Sequence, residues 1–224
     1  MSLLETVEHE TGPNPQWSVL WLHGLGADGH DFEPIVPELL DPAWPALRFV
    51  FPHAPVRPVT LNMGMPMRAW YDIRDMNLAS RADGEGVAES VAQVEALVER
   101  EAGRGIAAER LLLAGFSQGG AITLAAGIAR SRPLAGLIAL STYLPMTPAQ
   151  AQAALKPEAA SQPVFMAHGQ FDPVVPYAGG DMSANALRAL GFEVEWHRYP
   201  MQHAVCAEVA DLLGDWMTAR FAAG

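Results

Sequence analysis

RLLLAGFSQGG, residues 110–120, is the stretch whose reading decides the fold. Its first half, RLLLAG (110–115), is a continuous apolar run, which suits a strand covered on both faces of a sheet. AITLAAGIA (121–129) continues it as a helix. Between them Gly115-Phe116-Ser117-Gln118-Gly119 fits the pattern Gly-x-Ser-x-Gly at a sharp strand-to-helix turn. Such a turn holds a serine hydroxyl clear of the sheet in a strained backbone, and Gly115, Gly119 and Gly120 are small enough to permit it. The helix start also places free N–H groups and a positive dipole end beside the hydroxyl. The pentapeptide alone recurs by chance. Set between a strand and a helix, it reads as a nucleophile rather than a plain turn serine.

Working outward, the same alternation repeats along the chain. SVLWLH (18–23), LRFVFP (47–52), GLIALS (136–141), PVFMAH (163–168) and FEVEWHRY (192–199) read as strands. Val87, Val91, Val94 and Val98 recur at helical spacing, residues 181–190 are helical up to Gly191, and Val205, Val209, Leu212, Leu213 and Trp216 mark a last amphipathic helix. Strand-helix alternation predicts an α/β architecture, a mostly parallel central sheet with helices on both faces. The 224 residues, half of them apolar and 17% charged, fit one domain spanning 1–224 with an ample core. The proline-rich stretch 52–84 stands apart. Its Met63, Met65, Met67, Trp70 and Tyr71 fit either a loop tucked onto the core or an apolar wall over a pocket.

Composition excludes several classes. A net charge of −11 repels phosphate backbones, so neither nucleic acid nor an anionic membrane is an expected partner. One cysteine, Cys206, allows no internal disulfide and no CxxC metal site. The single lysine, Lys156, sits beside Pro157 and is a poor Schiff-base candidate. MSLLETVEHETGPNP lacks a basic segment followed by an apolar core, and no apolar run approaches the roughly 18 residues that span a bilayer. The expectation is a cytoplasmic chain with no signal peptide and no integral membrane segment.

A serine hydroxyl needs a base to take its proton, and on such turns the acid and then the histidine follow later in the chain. Asp172 lies in the turn GQFDP after PVFMAH, and His203 lies in PMQH after the last strand. Either residue alone is commonplace, an aspartate before proline or a surface histidine at a helix start. Together they stand in the required order at the required places. The other histidines fit worse: His197 is inside a strand, His168 and His53 precede the acid or the serine, and His9 belongs to a terminus expected to be mobile. Cys206, one helical turn past His203, reads as a small packed hydrophobe.

His23-Gly24-Leu25-Gly26-Ala27-Asp28-Gly29 spells Gly-x-Gly-x-x-Gly, the dinucleotide fingerprint. It does not open a helix directly, because Pro34 and Pro37 crowd the stretch, and no acid ends the next strand. A better role is the second half of an oxyanion hole. Acyl transfer needs two preorganised N–H donors, and the backbones of Leu25 and Gln118 are the candidates.

The blocks LHGLGADGHDF, MPMRAWYDI, LLLAGFSQGGA, LSTYLP, HGQFDPVVP and YPMQHAVC resemble the small bacterial carboxylesterases related to acyl-protein thioesterases and lysophospholipases. The resemblance covers essentially the whole chain. It implies an α/β-hydrolase fold without a large cap domain, Ser117, Asp172 and His203 as the triad, the Leu25 and Gln118 N–H groups as the oxyanion hole, and Trp70 at the border of the substrate groove. It implies a serine hydrolase that cleaves carboxylic esters of short to medium acyl chains through an acyl-enzyme, with no cofactor and no metal. Acyl-protein thioesterase, lysophospholipase or peptidase activity on the same fold is the alternative, and a non-catalytic ligand-binding module is the further one. The expected partner is a small-molecule ester, with a homodimer as the larger assembly allowed for. Two positions depart from the family pattern: Gln202 stands where glycine is usual before the histidine, and Ala204 where serine is common after it. Gln202 is expected to strain the His203 loop if that glycine supplies an unusual backbone angle.

Overall fold

The computed structural model describes residues 3–75 and 82–223. The apolar runs become strands β2 (Trp17–Leu22), β3 (Leu47–Pro52), β6 (Leu111–Phe116), β7 (Gly136–Leu140), β8 (Val164–Gly169) and β9 (Val194–Tyr199) of one seven-stranded sheet. The seventh, β1 (Thr6–Glu10), was not foreseen, and it corrects the expectation of a mobile terminus around His9. It pairs antiparallel with β3, while every other neighbour is parallel, in the order β1-β3-β2-β6-β7-β8-β9.

Along each inner strand successive side chains go to opposite faces. Leu20, Leu22, Leu111, Leu113, Leu137 and Met166 pack on one side, and Val19, Trp21, Leu112, Ala114, Ile138 and Phe165 on the other. Helices α2 (Gly84–Gly103), α3 (Gln118–Ala129), α4 (Pro148–Ala154) and α5 (Tyr177–Ala189) cover the first face. The short α1 (Val36–Leu39) and α6 (Ala207–Ala223) cover the second. This is the α/β-hydrolase fold, and no large cap domain is inserted in it among the described residues. No helix among them is long and apolar enough to cross a membrane.

Besides its ladder with β3 and the packing of Val7, β1 is held by charge. Arg48 and Arg104 bridge its glutamates to the buried carboxylate of Glu101, which also accepts from the Ser18 hydroxyl. The stretch 52–84 is largely built in, although 76–81 lies outside the described residues. It forms a small antiparallel hairpin, β4 (Val56–Pro58) and β5 (Pro66–Arg68). Met63, Met65 and Val56 are exposed on it, while Trp70, Tyr71 and Ile73 sink into the core.

Strand order reverses between β2 and β6, and open parallel sheets leave a crevice at the carboxyl ends of the strands where that happens. His23–Gly29 leaves the end of β2 there, and Ser117 leaves the end of β6.

Candidate active site

Ser117 joins β6 to α3 with φ 53° and ψ −118°, a left-handed conformation that L-residues rarely adopt. The turn is tight enough that a methyl at Gly119 would run into the Leu22 carbonyl of the neighbouring strand. Both backbone polar groups of Ser117 are held: its N–H donates to the Leu140 carbonyl (2.9 Å), and its carbonyl accepts from the Ala121 N–H (3.1 Å) and the Thr142 hydroxyl (2.6 Å).

Asp172 follows β8 in a turn whose N–H groups are aimed at its own carboxylate. Val174 N–H (2.8 Å) and Val175 N–H (2.9 Å) donate to Oδ1, leaving Oδ2 for His203. His203 Nδ1 lies 2.7 Å from Asp172 Oδ2, and His203 Nε2 lies 3.0 Å from Ser117 Oγ. A carboxylate only accepts, so Nδ1 carries the proton and Nε2 presents its lone pair to the serine O–H. The ring packs on Phe116, with centroids 4.7 Å apart. Three side chains named from sequence order thus converge into one relay. The Asp172 side chain is fully buried and that of His203 is 16% exposed, while Ser117 is buried.

The anticipated strain at Gln202 is absent. Its backbone is not in the left-handed region, and its side chain points to solvent.

The two oxyanion candidates lie on segments that are cross-braced. Neither the Leu25 nor the Gln118 N–H has a partner among the described residues. The Leu25 loop is fixed by Gly26 N–H donating to the Arg68 carbonyl (2.9 Å) and by His23. His23 Nε2 accepts from the Ala54 N–H (3.0 Å), so its Nδ1–H donates to the Gly24 carbonyl (2.7 Å). That arrangement requires a neutral ring, and burial lowers the His23 pKa to about 4.

Trp70 corrects an expectation. It is fully buried, so it cannot present a surface to substrate. Instead it ties together the two segments that carry the oxyanion candidates. Its indole N–H donates to the His23 carbonyl (2.9 Å), and its backbone N–H donates to Gln118 Oε1 (2.8 Å). The Gln118 amide returns a bond to the Tyr71 carbonyl (2.7 Å).

Sequence order alone set His168 aside, yet it stands directly behind the acid. Fully buried, its Nε2–H donates to the Val175 carbonyl (2.9 Å) and lies 3.4 Å from Asp172 Oδ2. Burial lowers its pKa as well. Cys206 is half-buried, and burial pushes its thiol pKa up, which disfavours a thiolate nucleophile. Among the described residues no group of three or more His, Cys, Asp or Glu could hold a metal ion.

An apolar cleft of about 170 Å³ opens between the β7–α4 loop and α5, lined by Tyr143, Leu144, Met146 and Met182 among others. It starts one residue beyond Thr142, which bonds to Ser117.

Known proteins share both sequence and shape with this chain. The model of a phospholipase/carboxylesterase family matches residues 5–217. Acyl-protein thioesterase 1 of Neurospora crassa is 39% identical over 215 residues, covering 91% of this chain and 86% of that protein. Among solved structures, Arabidopsis thaliana SOBER1 superposes with a TM-score of 0.86 at 31% identity, over 91% of this chain and 98% of that one. Zea mays acyl-protein thioesterase 2 gives 0.83 at 30% identity, over 96% and 99%. These relatives are fungal and plant proteins, so the expected likeness to specifically bacterial enzymes is not borne out.

Proposed function

The chain belongs to the phospholipase/carboxylesterase family and is a serine hydrolase of the esterase/thioesterase kind, and from that premise we propose that Ser117, Asp172 and His203 are its catalytic triad. The observation that carries the proposal is the unbroken relay from Asp172 Oδ2 through His203 to a Ser117 hydroxyl held on a strained turn.

In acylation His203 Nε2 takes the Ser117 proton as Oγ bonds to the substrate carbonyl carbon. The carbonyl oxygen becomes an oxyanion, which the Leu25 and Gln118 N–H groups receive. Asp172 holds the imidazole in its Nδ1–H tautomer and stabilises the cation formed on it. His203 then hands the proton to the leaving oxygen or sulfur, and the carbonyl–leaving-group bond breaks. Water repeats the sequence on the acyl-serine and releases the acid. Every group in this scheme comes from one copy of the chain, within a single domain, and no cofactor or metal takes part.

The substrates proposed are carboxylic esters with short to medium acyl chains, as the phospholipase/carboxylesterase family match supports. A second reading, removal of acyl groups from protein thioesters, is favoured by the names of the relatives with the highest identity reported above. Matched oxygen esters and thioesters of two to sixteen carbons, compared by kcat/KM, separate the two. A preference for oxygen esters at short and medium length supports the first reading. A thioester preference that rises with chain length supports the second.

A further inference from the structure

We propose that Ser141 and Thr142, outside the triad and the oxyanion hole, are positioning residues that hold the two ends of the Ser117–His203 hydrogen bond at reacting distance. The proposal rests on the triad reading above.

β7 ends at Leu140, and the next residue turns sharply. Ser141 has φ 46°, a left-handed backbone that glycine or asparagine adopts far more readily, and it is fully buried. Such a conformation persists in a non-glycine residue only where its surroundings over-determine it. Here they do. The Ser141 N–H donates to the Ala167 carbonyl of β8 (2.8 Å), and its hydroxyl donates to the Ala204 carbonyl (3.2 Å). Ala204 is the residue directly after His203. Thr142, also buried, sends its hydroxyl the other way, to the Ser117 carbonyl (2.6 Å). With the Ser117 N–H on the Leu140 carbonyl, three consecutive residues brace both partners of the proton transfer.

The need for such a brace follows from the elements involved. Ser117 is strained, and strain relaxes unless opposed. His203 lies in an irregular segment between β9 and α6, where no helix or strand ladder fixes the ring. A misplacement of about 1 Å between reacting groups can cost on the order of 100-fold in rate. The Ser141–Thr142 turn ties that segment and the nucleophile to one rigid strand end, so a shift of one relative to the other strains the part-buried Ser141–Ala204 bond or the buried Thr142–Ser117 bond.

The test uses the full chain with p-nitrophenyl butyrate as substrate and a fluorophosphonate to titrate active sites. Ser141→Gly removes the hydroxyl and tolerates the left-handed backbone, and Thr142→Val removes the hydroxyl at nearly constant shape. Each is expected to lower turnover per titrated site about 10-fold or more, with KM changed less than about twofold. Thr142→Ser, which keeps the donor, is expected to recover most of the loss. A role in folding alone would lower the number of titratable sites and the melting temperature but leave turnover per site unchanged, and that result overturns the proposal. So does a Thr142→Ser variant as slow as Thr142→Val. If Thr142→Val does not fold, Ser141→Gly decides by the same measure. Ser117→Ala separates the two layers: if it remains active the triad reading fails and this proposal with it, whereas an inactive Ser117→Ala beside fully active hydroxyl variants refutes the brace alone.

Discussion

Gly169 packs directly against the carbonyls of Met201 and Gln202, so closely that a methyl on Gly169 would overlap both oxygens. The turn that carries Asp172 and the segment that carries His203 are therefore in contact through bare backbone. Phe171 N–H on the Met201 carbonyl (3.1 Å) and Gln170 N–H on the Tyr199 carbonyl (2.8 Å) complete that seam. Gly169→Ala must push the His203 segment outward. The expected result is a loss of roughly 1–3 kcal/mol in stability and a fall in kcat of more than about 10-fold, read by denaturant melts and ester kinetics. Gln202→Gly is the contrasting control. The Gln202 side chain is exposed and its backbone is not left-handed. Its replacement should leave kcat within about twofold, with up to about 1 kcal/mol lost through extra freedom of the unfolded chain.

Trp70 predicts a different kind of defect. Trp70→Phe keeps most of the packing but leaves the buried His23 carbonyl without its indole donor. The stability cost is expected at roughly 1–3 kcal/mol, and, on the proposal that the braced N–H groups receive the oxyanion, kcat should fall more than KM rises. Equal effects on kcat and on binding of a substrate analogue would mean that the indole bond does not act through the Leu25 and Gln118 segments.

Trp70 marks the limit of what the sequence conveys. The strand–Ser117–helix turn was legible because its demands are local: an apolar strand, glycines around one serine, then a helix. Asp172 and His203 were legible from chain order, since the fold brings the ends of successive parallel strands to one edge. Trp70 was not. Whether an indole in a proline-rich loop faces substrate or core depends on contacts to Gln118 and His23, 48 and 47 residues away. β1 escaped for a related reason. TVEHE alternates weakly, and the partners that hold its glutamates, Arg48 and Arg104, come from β3 and the end of α2. Ser141 gave no signal, because nothing in LSTYLP demands a left-handed serine until the Ala204 carbonyl is seen beside it.

Acid should weaken the fold through His23. Its folded pKa, lowered by burial from 6.5 to about 4, means that the unfolded chain binds a proton in this interval which the folded chain refuses. Stability from the neutral ring is therefore complete above pH 6.5 and lost as the pH falls toward 4, by up to roughly 3 kcal/mol. His168, whose pKa is lowered for the same reason, acts in the same direction. Urea melts between pH 7.5 and 4.5 should show this decline. A His23→Asn variant, less stable at pH 7.5, should show a shallower one.

Asp172→Asn should separate orientation from folding. An amide at this position removes the charge that stabilises the imidazolium and favours the wrong His203 tautomer. The expected fall in kcat is on the order of 10³–10⁴, with KM little changed. A loss below about 10-fold would mean that Asp172 does not hold the ring.

The central claim is that Ser117 Oγ is the nucleophile and that it forms a covalent acyl-enzyme. The most direct measurement is intact-mass and peptide analysis after treatment with a fluorophosphonate, run in parallel on the native chain and on Ser117→Ala. The relay described here predicts one adduct per chain, located on Ser117, with loss of ester hydrolysis in proportion to labelling and no adduct on the variant. An unlabelled native chain that still hydrolyses esters, or an adduct on any residue other than Ser117, would contradict it.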